Sequence, residues 1–203
     1  MMVLLFALVG SLRGWSKEII VAFSVFLALF IEEVLVTLVP PIRDLWAAMA
    51  PMSRFYLRLI VFGIIVLFGY ASPTLASGIG SKVARERLQD LLLGFFIGLL
   101  NGILIVGTIW FYLDEAQYGV DPGKWNVRQA VDESGAPVYE EDGVPVTEVV
   151  YDIDAAGVWG ILPPAENSTA WDILPYLPPR IITKAYLYLA VGLAFVFVIV
   201  VFI

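Results

Sequence analysis

Long apolar runs dominate the hydrophobic and polar pattern of this chain, and short charged clusters separate them. A run of about 18 or more apolar residues can cross a bilayer core of roughly 30 Å as one helix. Runs of this length cover residues 19–41, 55–76, 91–113 and 181–203. The pattern therefore predicts four membrane-spanning helices, and Pro40 and Pro41 are expected to end the first of them.

An earlier apolar segment, Met1–Val9, is too short to span a bilayer by itself. It lacks the positively charged start and the small-residue cleavage site of a secretory signal peptide. We expect a shallow or truncated helix here, which would become a fifth span only if further residues precede it.

A polar segment, residues 114–180, separates the last two apolar runs. Its first part has Ser-Gly and Asp-Gly turn signals between pieces rich in Val, Tyr and Thr, which predicts short β-hairpins. Its second part is interrupted by prolines and contains the large side chains of Trp159, Trp171 and Tyr176. We interpret this second part as a surface that lies on the membrane or contacts another protein.

Together these features predict an all-α membrane protein, a bundle of four to five transmembrane helices with a small extramembrane segment. The chain divides into a transmembrane bundle at residues 1–113, an extracytoplasmic segment at 114–180 and a C-terminal span at 181–203.

The composition excludes several classes of chemistry. Of the 203 residues, 60% are hydrophobic, whereas soluble domains are usually about 45–50% apolar. Cys and His are both absent from the sequence, which excludes disulfides, thiolate catalysis and histidine as a base or a metal ligand. The sequence also contains no G-x-x-x-x-G-K, G-x-S-x-G or H-E-x-x-H motif. We therefore expect no enzymatic activity and no bound cofactor or metal.

The formal net charge of −7 is concentrated in one part of the chain. Residues 114–180 hold 13 of the 19 carboxylates and only three of the 12 cations. An acidic exposed segment would repel phosphate, so we expect no nucleic-acid partner. The acids at 140–142 are adjacent in sequence, and we interpret them as a solvated turn rather than as a divalent-cation site.

Positive charges also predict an orientation in the membrane, because Lys and Arg are enriched in short cytoplasmic connections. Two connections carry them, one with Arg13 and Lys17 and the other with Lys82, Arg85 and Arg87. If both are cytoplasmic, residues 114–180 lie outside and the C-terminus is cytoplasmic. This orientation places three cations, Arg43, Arg54 and Arg58, on the outer side, which counts against it. The two basic connections carry five cations, so the positive charges still favour it.

Three stretches, taken in order, resemble a known family. They are "LRGWSKEII" at 12–20, "VLFGYASPTL" at 66–75 and "RERLQDLLLGFFIGLLNGILIVGTIWF" at 85–111. This order is similar to that of the colicin V production protein family, over about residues 1–113. The resemblance implies a small multispanning protein of the bacterial inner membrane, without known catalytic residues. That family is linked to toxin export and envelope maintenance, and residues 114–203 fall outside its usual short form.

Small residues repeat along one face of the third long run. Gly94, Gly98 and Gly102 recur every four positions, a spacing that lets helix backbones approach closely in membranes. The expected neighbour is another helix of the same bundle; a second subunit or a pore-lining or lipid-binding face are the alternatives. Asn101 lies in the same run, and we expect its amide to bond a neighbouring helix, with ligation of a pigment metal as the less favoured role.

Glu32 and Glu33 are acids within the first long run and are therefore candidates for a proton or cation relay. Their place near the outer interface favours a solvated or ion-paired state instead, with Arg58 as one cation within reach.

These observations favour a non-enzymatic scaffold or accessory subunit, whose partners are other membrane protein subunits and the lipid bilayer, with a homo-oligomer as an alternative assembly. A respiratory or photosynthetic complex is one setting for such a subunit. A small transporter or channel is the competing class, in which Glu32, Glu33, Arg58 and Asn101 would line the path.

Overall fold

The structure, a computed structural model, describes residues 1–75, 87–119, 125–129, 134, 136, 138–139, 147–151, 161, 163–164 and 168–202. The helices are α1 (Met2–Arg13), α2 (Trp15–Leu38), α3 (Pro40–Ala48), α4 (Pro51–Leu75), α5 (Arg87–Glu115), α6 (Thr169–Ile173), α7 (Pro178–Ile181) and α8 (Lys184–Phe202). Two 3₁₀ turns, Gln117–Gly119 and Leu174–Tyr176, follow α5 and α6.

Three of these helices are long and apolar enough to cross a membrane: α2, α4 over Pro51–Ser72 and α5 over Leu88–Glu115. The protein is therefore a helical, membrane-embedded, multi-pass protein. Among the described residues, α1 and the stretch Lys184–Phe197 of α8 are apolar but shorter. The predicted total of four to five spans stays a prediction.

Two strands, β1 (Trp125–Gln129) and β2 (Thr147–Tyr151), pair antiparallel, with Trp125 opposite Tyr151. The predicted hairpins with Ser-Gly and Asp-Gly turns stay a prediction, because most residues between the two strands lie outside the described part of the chain. The acids at 140–142 and Trp159 also lie outside it.

Prolines set the boundaries at one end of the bundle, which we call the α3 end. Val39, the residue before Pro40, is extended (φ −111°, ψ 97°), as expected where a following proline disfavours the helical conformation. Proline is tolerated at the first positions of a helix, so α3 begins directly at Pro40 and α4 at Pro51. The short helix α3 therefore lies between two long ones.

Glycine makes the connection at the other end, which we call the Gly14 end. Gly14 separates α1 from α2 with a φ of +87°, a conformation that side chains other than glycine rarely adopt. Asp90 of α5 accepts a hydrogen bond from the Trp15 backbone N–H, at 3.0 Å, at the first turn of α2. A Cβ at Gly14 would lie only 2.7 Å from the Asp90 carboxylate, so this close approach also requires glycine.

The glycine face of α5 packs against α1, and the two helices run antiparallel. A Cβ added at Gly98 would lie 2.5 Å from the Phe6 carbonyl oxygen and 2.9 Å from the Gly10 Cα. One at Gly102 would lie 3.0 Å from the Val3 carbonyl oxygen, and Gly94 lies against the Gly10 carbonyl. The small residues thus let the two backbones touch, where packing replaces the hydrophobic effect that is missing in lipid.

The remaining core lies between α2, α4 and α5. Its buried side chains are apolar and aromatic, among them Val21, Val25, Phe55, Phe62 and Tyr112. Many large apolar side chains on the outer faces of α1, α4, α5 and α8 are exposed, as expected for a protein surrounded by lipid.

Replacing Gly98 with leucine should separate α1 from α5. The added side chain has no space at this contact, and overpacking of a well-packed interior typically costs about 1–3 kcal/mol. We expect Gly98→Leu to lower the free energy of unfolding in detergent by at least about 2 kcal/mol relative to Gly63→Leu.

Gly63 is the matched control, because it lies in the long helix α4 and a Cβ there would meet nothing within 4 Å. Both variants replace a glycine with leucine and change helix propensity equally. The difference between their unfolding free energies therefore reports on the contact between α1 and α5. Equal unfolding free energies for the two variants would contradict the close packing of α1 on α5.

Candidate functional site

A fully buried carboxylate lies near the Gly14 end of the bundle. Glu18 of α2 has 0% of its surface exposed. Its Oε1 accepts a hydrogen bond from Arg13 Nη1 at 3.0 Å, and its Oε2 accepts one from Asn101 Nδ2 at 2.9 Å. Asn101 Nδ2 also lies 2.9 Å from the Glu18 carbonyl oxygen. We call Arg13, Glu18, Tyr70 and Asn101 the Glu18 cluster.

Arg13 extends the cluster to a fourth helix. Its Nη2 donates to the Tyr70 carbonyl oxygen at 2.8 Å, and its guanidinium carbon lies 4.5 Å from the centre of the Tyr70 ring. The cluster therefore takes one residue each from α1, α2, α4 and α5. A buried carboxylate is tolerated in a low-dielectric interior only with such partners, so these contacts hold the helices in one arrangement.

Two polar atoms of the cluster carry no hydrogen bond. Asn101 Oδ1 and Tyr70 Oη are buried and have no partner among the described residues. Native interiors leave few such atoms, and each one needs an explanation, such as local strain, a bound water or ion, or a functional role. The Glu18 cluster is therefore a candidate site as well as a structural contact.

The second cluster lies at the α3 end and centres on Arg58 of α4. Arg58 Nε lies 2.5 Å from Glu32 Oε1, and Arg58 Nη1 pairs with Glu115 of α5. The Tyr112 hydroxyl group donates a hydrogen bond to Glu32 Oε2 at 2.7 Å. The guanidinium lies 5.0 Å from the ring centres of both Trp46 and Tyr112, a distance that permits cation–π attraction. We call Glu32, Trp46, Arg58, Tyr112 and Glu115 the Arg58 cluster.

The two adjacent acids of α2 have separate partners. Glu32 belongs to the Arg58 cluster, whereas Glu33 lies 2.5 Å from Lys184 of α8 and accepts a hydrogen bond from Thr37 at 2.9 Å. Arg43 and Arg54 do not join them: Arg43 lies 3.7 Å from Asp44 on the surface, and Arg54 Nε donates to the Met49 carbonyl. Glu32 and Glu33 therefore belong to different ion pairs in this structure, and the predicted relay stays a prediction.

The segment after residue 168, which contains α6 and α7 and ends before α8, is fixed to α5. Arg180 Nη2 lies 2.7 Å from Asp114, and its Nη1 donates to the Leu174 carbonyl at 3.1 Å. A Cβ at Gly107 would lie 2.5 Å from Pro178 Cδ, so α7 packs directly on the α5 backbone. Ser168 accepts a hydrogen bond from the Trp171 N–H and caps α6.

The 3₁₀ turn after α5, Gln117–Gly119, is held on α5 by a hydrogen bond. Trp110 Nε1 donates to the Tyr118 hydroxyl oxygen at 2.7 Å. Burial raises the pKa of the Tyr118 phenol to about 12.

Trp171 and Tyr176 lie on the outer surface of this fixed segment, 44% and 71% exposed. Ile173, between them in sequence, is also 44% exposed, whereas Leu174 and Leu177 are buried beneath. We call Trp171, Ile173 and Tyr176 the aromatic patch. An anchored segment that exposes large apolar side chains is a candidate contact surface.

Sequence reasoning singled out Asn101, Glu32 and Arg58 but missed most of their partners. Glu18 occurs in the sequence analysis only within the stretch 12–20, and its spacing of five residues from Arg13 gives no sign that it is buried with Asn101. Tyr112 and Glu115 lie one turn apart on α5, and only the fold brings them to Arg58. In the described residues, no group of three or more Asp or Glu side chains could hold a metal ion.

Comparisons with known proteins return no match to this chain among family models, curated proteins or solved structures. The resemblance of residues 1–113 to the colicin V production protein family therefore stays a prediction from the three quoted stretches.

The Glu18 cluster generates a prediction about stability. Removing one partner of a buried ion pair leaves an unpaired charge in the interior, which typically costs about 3–5 kcal/mol. We expect Arg13→Gln to lower the free energy of unfolding in detergent by about 3 kcal/mol. Arg43→Gln is the control, because Arg43 and Asp44 form an exposed pair whose loss should cost less than about 1 kcal/mol.

The double variant Arg13→Met with Glu18→Leu separates charge pairing from packing. Apolar replacement of both partners is often close to neutral, so the double variant should be more stable than Arg13→Gln. If the double variant is instead less stable than Arg13→Gln, loss of the Arg13–Glu18 ion pair does not account for the lower stability of Arg13→Gln.

Proposed function

We propose that this protein is a non-enzymatic scaffold, an accessory subunit that contacts other membrane proteins through the aromatic patch. The observation that carries this proposal is the internal pairing of the charges in the spans. Arg58 faces Glu32 and Glu115, and Glu18 accepts hydrogen bonds from Arg13 and Asn101. Side chains held in such pairs stabilise one arrangement of helices, which suits a static role.

The segment after residue 168 supports the same role. Contacts of Arg180, Leu177 and Pro178 hold it on α5, and the aromatic patch lies on its exposed side. Aromatic side chains on a rigid base lose little conformational entropy on binding and are typical anchors of protein interfaces.

We further propose four spans, with α8 as the fourth and α1 as a shorter helix beside α5. The positive charges of the two basic connections favour a cytoplasmic Gly14 end and an extracytoplasmic α3 end. With the colicin V resemblance, this gives a multi-pass protein of the bacterial inner membrane whose C-terminus is cytoplasmic.

Native purification in mild detergent tests the scaffold role. The proposal expects the protein to migrate within a larger assembly, at a fixed stoichiometry with other membrane proteins. Migration alone, or as a small homo-oligomer, would contradict it.

Within that assembly, Trp171→Ala combined with Tyr176→Ala should weaken partner binding by at least about tenfold, since loss of an anchor residue costs about 2 kcal/mol or more. Tyr186→Ala on α8 is the control, because Tyr186 is also an exposed aromatic residue, at 63%, but lies outside the aromatic patch. An equal loss of partner binding in Tyr186→Ala would show that the aromatic patch is not the specific contact with the partner.

A small transporter or channel is the second candidate, favoured by a cavity of about 190 Å³ lined by Arg54, Arg58 and Glu115. In that case Glu32→Gln, which removes the carboxylate paired with Arg58 of the cavity wall, should abolish conductance or uptake in liposomes. The scaffold proposal expects the wild-type protein to conduct no more than empty liposomes, and uptake that disappears in Glu32→Gln would overturn it.

A further inference from the structure

An apolar groove of about 260 Å³ lies between α2, α3 and α4. Its walls include Leu35 and Val36 of α2, Leu45 of α3, Met49 directly after α3, and Val61 and Phe62 of α4. The short helix α3 forms one side of it, because the prolines at 40 and 51 place that helix between the two long ones. The groove has the apolar lining and concave shape typical of a small-molecule site.

The groove adjoins the polar cavity of about 190 Å³ at the α3 end. Trp46 and Arg58 line both spaces, so the two share a wall. The polar cavity is also lined by Arg54, Tyr112 and Glu115. A molecule with a polar head and an apolar tail would match this pair of spaces.

One arginine of the polar cavity, Arg54, favours an anionic head. Arg58 is paired with Glu32 and Glu115. Arg54 donates from Nε to the Met49 carbonyl at 3.1 Å, and no carboxylate of the described residues lies within ion-pair distance of it. Of the two arginines that line this cavity, Arg54 is the one without a carboxylate partner among the described residues, and its planar donor groups match a phosphate geometrically.

We propose that the groove and the polar cavity together bind one phospholipid, with its phosphate at Arg54 and one acyl chain in the groove. A membrane-embedded protein is surrounded by such molecules, and α3 lies where headgroups meet hydrocarbon if α2 and α4 cross the bilayer. The proposal goes beyond the scaffold role and does not depend on it.

Native mass spectrometry of the full chain from detergent, after incubation with phosphatidylglycerol, tests the proposal. The wild-type protein should retain one phospholipid. Arg54→Gln should reduce its affinity by at least about tenfold, because hydrogen bonds to a charged group are lost. Arg54→Lys should retain part of the affinity. Arg43→Gln is the control, because Arg43 lies on the exposed side of α3 beside Asp44.

A second pair of variants tests the apolar groove. Val36→Trp fills the groove and should reduce retention of the phospholipid, whereas Leu38→Trp, on an exposed part of the same helix, should not. Unfolding temperatures of the variants identify any that fail to fold, and Arg54→Gln tests the proposal independently of groove packing.

Three results would overturn the proposal. Diacylglycerol retained as well as phosphatidylglycerol would exclude a phosphate at Arg54, and glycerol phosphate bound as tightly as the lipid would exclude a role for the groove. Equal losses in Arg54→Gln and Arg43→Gln would show non-specific attraction to anionic lipid. Because the readout is lipid retention, loss of partner proteins leaves it unaffected.

Discussion

The buried carboxylate of Glu18 is the constraint on which the arrangement of the bundle depends. Ionised oxygens in a hydrocarbon interior need nearby donors, and here the donors come from different helices. Arg13 reaches it from α1 and Asn101 from α5, while Arg13 is itself held by the Tyr70 carbonyl and ring of α4. Apolar packing alone would allow these helices to slide or rotate; the directional contacts select one register.

The Arg58 cluster repeats this principle near the other end of the same helix. Glu18 and Glu32 are fourteen residues apart on α2, which corresponds to about 21 Å along a helix. Each acid meets an arginine from another helix and a polar side chain of α5. The helix α2 is therefore tied to its neighbours at two depths, and α4 and α5 take part in both clusters.

The sequence predicted those features of the fold that depend on a single helix. Run length predicted the helices that became α2, α4 and α5, and Pro40 predicted the end of α2 near Val39. Glycine spacing identified the face of α5 on which α1 lies. By contrast, the pairing of Glu18 with Asn101 and of Arg58 with Glu115 depends on how helices rotate about their axes and on which of them are neighbours. Residues far apart in the chain make these contacts, so no local pattern could reveal them.

The same separation in the chain bears on the order in which the protein is made. Arg13 and Glu18 are synthesised together, but Asn101 follows Glu18 by 83 residues. Domains generally fold from the N-terminus during synthesis, yet α1 cannot take its place before the glycine face of α5 has entered the membrane. Pro178 then covers Gly107 still later. Among the residues that the structure describes, Arg13 is the side-chain partner that Glu18 already has before α5 arrives. The nascent protein therefore passes through a stage in which this buried carboxylate lacks its contact with Asn101.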